Sequence, residues 1–141
     1  MNNKMEPITV QSVIHASVSK VWQCWTEPDH IIQWNFANND WHCPKAENNL
    51  TVGGKFSYTM AAKDGSFSFD FWGVYDQVEL YKSINYSLGD GRKVAVSFIA
   101  QNDATLVKQI FDPEEINPAE IQAAGWQAIL DNFKKHVEAE S

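Results

Sequence analysis

The chain has 141 residues, 44% of them hydrophobic, and a formal net charge of −7. That length fits one domain, residues 1–141 with a core from about 8 to 138, able to bury roughly 68% of its unfolded surface without staples. The acidic balance excludes nucleic acid and anionic membranes as main partners, since both need a basic face; no apolar run approaches the ~20 residues of a membrane span, and the start, MNNKMEPITV, lacks a signal peptide's apolar stretch, so the expected compartment is the cytoplasm.

Residues 8–15, ITVQSVIH, alternate and are rich in β-branched side chains, which predicts a first strand. Ser17 or Ser19 would then cap a helix reaching about Thr26, with Val18, Val21, Trp22 and Trp25 at helical spacing. Pro28 suits the first turn of a second short helix, PDHIIQW. The segment NFANNDWHCPKAENN is rich in turn formers and predicts a loop with a short strand near Trp41–Ala46. After the Gly53-Gly54 turn, KFSYTMAA sets Phe56, Tyr58 and Met60 on one strand face. Asp64-Gly65 is a hairpin signal. The next strand, in DGSFSFDFWGVYDQ, carries Phe67, Phe69 and Phe71 at every second position and Gly73 where the pattern breaks. An interior glycine of this kind marks a bulge or bend in the strand, or a close approach of ligand to backbone. KSINYSL presents Ile84, Tyr86 and Leu88; VAVSFIA presents Val94, Val96 and Phe98; TLVKQIF closes the set. These hairpin spacings predict an antiparallel meander.

The chain ends in a long predicted helix, with Asn117 as N-cap, Pro118 in first position and Glu120 completing a capping-box-like start. Trp126, Leu130, Phe133 and Val137 recur at intervals of three and four, with Ile129 widening the stripe. Gly125 sits on the flank of that stripe, where it would let the helix approach the sheet or leave room for a cavity. A helix with such a stripe needs a sheet to cover it. The order of elements therefore predicts an α+β fold: a curved antiparallel sheet wrapped around the C-terminal helix, with two short helices after the first strand. The aromatic wall becomes the concave side of the sheet.

Any single phenylalanine of that wall reads most simply as packed core. As a set, the aromatics point further, because a helix against a strongly curved sheet leaves unfilled volume and close packing tolerates few voids. Trp34, Phe36, Trp41, Phe69, Phe71 and Trp126, with Phe56, Tyr58, Tyr86, Phe98, Ile129 and Phe133 beneath and beside them, are the candidate ligand-binding residues. Sites of this kind typically run to roughly 300–1,000 Å³. No metal and no cofactor is expected. Cys24, His30, His42 and Cys43 lack the CxxC or HxxxH spacing of a zinc site, and His42 and Cys43, being adjacent on a strand, point to opposite faces. The two cysteines read as free thiols. No catalytic residue stands out: Asp70 alternates with the phenylalanines and faces outward, Lys108 reads as solvated, and His15 ends the first strand facing either way. No Walker loop, dinucleotide fingerprint or nucleophile elbow is present.

VWQCWTEPDHIIQW, WHCP, VGGKFSY, DGSFSFDFWGVY and GWQAILDNFKKHVE together resemble the bacterial proteins similar to the C-terminal domain of the heat-shock-protein-90 ATPase activator, in the START, polyketide-cyclase and SRPBCC superfamily, from about Ile8 to Glu138. The resemblance implies a helix-grip fold with a cavity between helix and sheet, open near the loops after the second short helix. It also implies apolar or amphipathic ligands, with cyclase or lyase activity in some relatives. The leading expectation is a binding protein for an apolar small molecule, working as a monomer or homodimer. The runner-up is a cyclase- or lyase-type enzyme using the same pocket. Third stands a chaperone co-factor acting through its surface, since the 141 residues hold no added module for a chaperone.

Overall fold

β1 (Ile8–Ile14) buries Val10 and Ile14 and exposes the residues between them. The computed structural model, which describes residues 6–140, next shows two short helices, α1 (Val18–Thr26) and α2 (Pro28–Trp34). Ser17 caps α1 by accepting a bond from the Lys20 amide at 3.3 Å, and Pro28 opens α2 as expected. Six strands follow: β2 (Trp41–Asn48), β3 (Lys55–Ala62), β4 (Ser68–Glu79), β5 (Ser83–Leu88), β6 (Lys93–Ala100) and β7 (Thr105–Phe111). The last element is α3 (Ala119–Ala139).

The seven strands make one antiparallel sheet in the order β1-β7-β6-β5-β4-β3-β2. Six of them form a meander, and β1 joins its far edge by pairing with β7. α1 and α2 therefore carry the chain from one edge of the sheet to the other. α3 lies along β1 and touches both short helices. This is the helix-grip arrangement. No helix among the described residues is long and apolar enough to cross a membrane.

The core is the concave face of the sheet closed by the buried stripe of α3. Leu130, Phe133 and Val137 are buried there, while Trp126 and Ile129 are half-buried at its edge. Lys134 reaches back to the Val13 carbonyl and pairs with Glu138 at 3.0 Å, tying α3 to β1. His15 is exposed, and its amide donates to the Glu138 carboxylate at 2.9 Å.

Three local expectations are corrected. Asn117 does not cap α3; Pro118 stands at the cap, and the Asn117 amide group donates instead to Glu114, which gathers the turn before the helix. Phe67 precedes β4 and is 59% exposed, because the hairpin loop runs on past Asp64-Gly65. Gly73 lies within regular β3–β4 pairing; the break in β4 falls later, between Tyr75 and Gln77. What Gly73 supplies is space. A Cβ there would stand 2.7 Å from the Ser87 carbonyl oxygen and 2.8 Å from the Phe56 ring. Gly125, by contrast, faces open space, with nothing within 4 Å of a Cβ built on it, so no close approach to the sheet requires a glycine there.

Candidate functional site

Between the concave face, the end of α2 and α3 the fold encloses a cavity of about 220 Å³. It is smaller than the expected range, because large aromatics from three sides fill most of the space. Strand alternation delivers its wall: Phe56, Tyr58 and Met60 from β3, Phe69, Phe71 and Tyr75 from β4, Ile84 and Tyr86 from β5, and Gln109 from β7. The helices add Trp25, Trp34 and Asn35 on one side and Trp126 and Ile129 on the other.

Eight of the twelve sequence-derived candidates thus meet at this cavity: Trp34, Phe56, Tyr58, Phe69, Phe71, Tyr86, Trp126 and Ile129. The other four stand outside its lining. Phe98 and Phe133 are fully packed behind it, where Phe98 meets the Trp25 ring at 5.8 Å and Phe133 meets Trp25 at 4.9 Å and Trp34 at 4.8 Å. Phe36 lies after α2, its carbonyl accepting from Asn132 of α3 at 3.1 Å. Trp41 sits at the rim, its ring 6.2 Å from Phe67 and 6.1 Å from Phe69. Since Phe69 both lines the cavity and is 44% exposed, the mouth opens beside this aromatic group.

Six lining residues were missed by the sequence reading of the site, and the same alternation signals four of them. Tyr75 continues the Phe69, Phe71, Gly73 series inward, and Gln109 occupies an inward position between Val107 and Phe111. Met60 and Ile84 lie on strand faces already read as inward, with Phe56 and with Tyr86, while Trp25 and Asn35 come from the way the elements pack.

The ring of Phe56 is the centre of the wall. It lies 4.9 Å from Tyr58, 5.4 Å from Tyr75, 5.9 Å from Phe71 and, edge-on, 4.8 Å from Tyr86. At the other end Trp126 stacks on Phe111 at 3.9 Å and meets Phe71 edge-on at 6.1 Å. Such pairs add about 0.5–1.5 kcal/mol each beyond area burial.

The polar atoms of the wall belong to neutral groups. Tyr75 donates its hydroxyl to Asn48 Oδ1 at 2.5 Å, and the Asn48 amide donates to the Thr26 carbonyl at 2.7 Å. Burial pushes the Tyr75 hydroxyl up to about 12, and raises those of Tyr58 and Tyr86 well above the ordinary phenol value. All three stay protonated near neutrality and can donate. Among the described residues no carboxylate, imidazole or ammonium lines the cavity. The arrangement can hold an apolar molecule with a hydroxyl or carbonyl end; it offers no charged acid or base.

Asp70 faces outward, accepting from the Thr59 hydroxyl at 2.8 Å, and Lys108 is half-buried on the outer face. His42 is exposed and Cys43 buried, on opposite faces as expected, and burial pushes the Cys43 thiol up to about 11. In space Cys24 and His30 stand beside His136, with one donor atom of each within 4.8 Å of the others, a proximity that spacing along the chain does not show.

A family model described as Activator of Hsp90 ATPase homolog 1-like protein matches residues 15–138. Among solved structures, the AHSA1-like protein of Aeromonas hydrophila superposes with a TM-score of 0.90 at 42% identity, over 95% of this chain and 93% of that one. A Cytophaga hutchinsonii protein is 52% identical, with a TM-score of 0.82 over 99% and 94% of the two chains. A Chromobacterium violaceum protein has a TM-score of 0.85 over 95% and 99% at 19% identity, a likeness of fold alone. No curated protein matches the chain.

Proposed function

The chain belongs to the Activator of Hsp90 ATPase homolog 1-like family, and on that premise we propose that it is a binding protein for a small apolar molecule carrying one uncharged polar end. The cavity supports this reading: about 220 Å³, walled by aromatics, with neutral hydroxyls and amides and no charged group in its lining. An apolar cavity of ~150 Å³ accepts benzene, so a single substituted ring or a short branched chain is the size that fits. In this reading Phe56, Phe71, Trp126 and Ile129 supply the apolar contact. Gln109, Tyr58 and Tyr86 meet the polar end, and Trp41 and Phe69 form the entrance.

The neutral lining favours binding over turnover. General acid–base catalysis works best with a group whose pKa lies near the operating pH, and burial moves the three tyrosines away from neutrality. A reading through the family's printed name would make a chaperone the partner. It is separated from ours by adding the protein to an Hsp90 ATPase assay, where our reading expects no change in rate.

The direct test uses 4-ethylphenol and ethylbenzene as probes, followed by amide and indole shifts in solution NMR. Both should perturb Trp34 and Trp126, with 4-ethylphenol the tighter, and Ile129→Trp should abolish both responses by filling the cavity while the fold persists. Shifts confined to the outer face of the sheet, or unchanged binding in the filled variant, would refute the reading. Native mass spectrometry of the freshly purified protein would reveal a retained natural ligand.

A further inference from the structure

Away from the cavity, the described residues bring together one cluster of metal-ligating side chains. Cys24 on α1, His30 on α2 and His136 near the end of α3 each place one donor atom within 4.8 Å of the others. The thiol is fully buried and the imidazoles partly so. Nδ1 of His30 and Nε2 of His136 lie 2.9 Å apart. We propose that Cys24, His30 and His136 form a binding site for a borderline-soft divalent cation, zinc above all, that pins the three helices together. This stands independently of the cavity and departs from the reading of the sequence, which had no metal.

The donors suit that ion: one thiolate and two imidazoles are characteristic of zinc rather than of magnesium or calcium, which take oxygen. With Zn–S near 2.3 Å and Zn–N near 2.0–2.1 Å, tetrahedral donors stand roughly 3.4–3.6 Å apart. The separations here, 2.9 Å between the imidazoles and none above 4.8 Å, bracket that spacing, so small side-chain rotations complete the geometry. A supporting carboxylate is also in place. When His30 binds through Nδ1, its other nitrogen, Nε2, faces Glu27 Oε2 at 3.7 Å. A carboxylate in that position fixes the tautomer of a metal-bound histidine. Glu27 and Glu140 add negative charge around Cys24, and Lys20 opposes them. A divalent ion with a thiolate therefore leaves the site near neutral.

The protons balance without redox chemistry. On binding, the Cys24 thiol gives its proton to solvent. The hydrogen shared by the facing imidazole nitrogens moves to the other nitrogen of the ring that carried it, so both lone pairs turn to the metal. Three protein donors leave the fourth position to water. Because the core of sheet and helix is complete without the ion, zinc adds stability to a chain that already folds.

The test uses Co²⁺ as a spectroscopic stand-in and Zn²⁺ as competitor, on the tag-free full chain stripped of metal. We expect one Co²⁺ per chain, with a sulfur-to-cobalt charge-transfer band and the intense visible bands of tetrahedral coordination, both bleached by Zn²⁺. Zinc should raise the thermal midpoint by several degrees. Cys24→Ser should remove the charge-transfer band, His136→Gln should weaken binding at least tenfold, and Cys43→Ser should change neither. Circular dichroism of the metal-free variants checks that each is folded, and His136→Gln keeps the test decisive if Cys24→Ser is not. Absence of the bands, a band that depends on Cys43, or binding that survives both Cys24→Ser and His136→Gln would overturn the proposal.

Discussion

Replacing Gly73 by alanine adds one methyl at the centre of the aromatic wall. Two effects oppose each other. Alanine restricts the unfolded chain, which at an unstrained site stabilises by about 0.4–1 kcal/mol. Against this, the new Cβ would lie 2.7 Å from the Ser87 carbonyl oxygen and 2.8 and 2.9 Å from two atoms of the Phe56 ring. The oxygen belongs to β5, which pairs with β4 on this side, so it cannot swing away. Phe56 is only 2% exposed and wedged among Tyr58, Tyr75 and Tyr86. Overpacking of this kind costs about 1–3 kcal/mol. The net loss is therefore about 0.5–2 kcal/mol, a fall in thermal midpoint of roughly 2–8 °C for a domain of this size. Any relief comes from Phe56 moving into the cavity, so 4-ethylphenol should bind more weakly as well. Gly125→Ala is the internal control. The same methyl meets open space in a helix interior, and the variant should gain about 0.8–1 kcal/mol. Urea and thermal unfolding of both variants measure the pair. If Gly73→Ala is as stable as the parent, the close approach to Phe56 does not determine the residue at this position.

Trp126→Ala should cost stability near the low end of the ~3–5 kcal/mol seen for buried aromatics, because the ring is stacked on Phe111 yet only partly buried; an unchanged melting curve would mean that this stack contributes nothing. Tyr58, Tyr75 and Tyr86 ionise less readily folded than unfolded. The native state therefore holds more protons once the pH exceeds about 10, and stability should fall as the pH rises further, by up to ~1.4 kcal/mol per pH unit for each group. Urea titrations from pH 9 to 11.5 check this, and Tyr75→Phe should lessen the slope. Cys43 is buried and its thiol pushed up to about 11, and Cys24 is buried and likewise raised, so a thiol-specific disulfide reagent at pH 8 should modify neither until the chain is unfolded.

Local periodicity carried much of this protein. Alternation placed Phe56, Tyr58 and Met60, then Ile84, Tyr86 and Leu88, on inward faces, and the three-and-four spacing of Leu130, Phe133 and Val137 marked the buried stripe of α3. These signals are legible because a strand or helix repeats its geometry within a few residues. The same period that identified an inward face could not say how deep each position would lie. Phe98 and Phe133 share their faces with cavity residues, yet Trp22 and Trp25 of α1 cover Phe98, and Trp25 and Trp34 cover Phe133, because the two short helices pack between sheet and α3 there. The role of Gly73 was equally hidden, since its constraint comes from Ser87 and Phe56, on the strands to either side. The meeting of Cys24 and His30 with His136 spans a separation of 106 residues between the two histidines. Spacing along a chain measures neighbours only within one element. Which distant residues meet is set by how the helices pack across the sheet, and tertiary structure alone decided that.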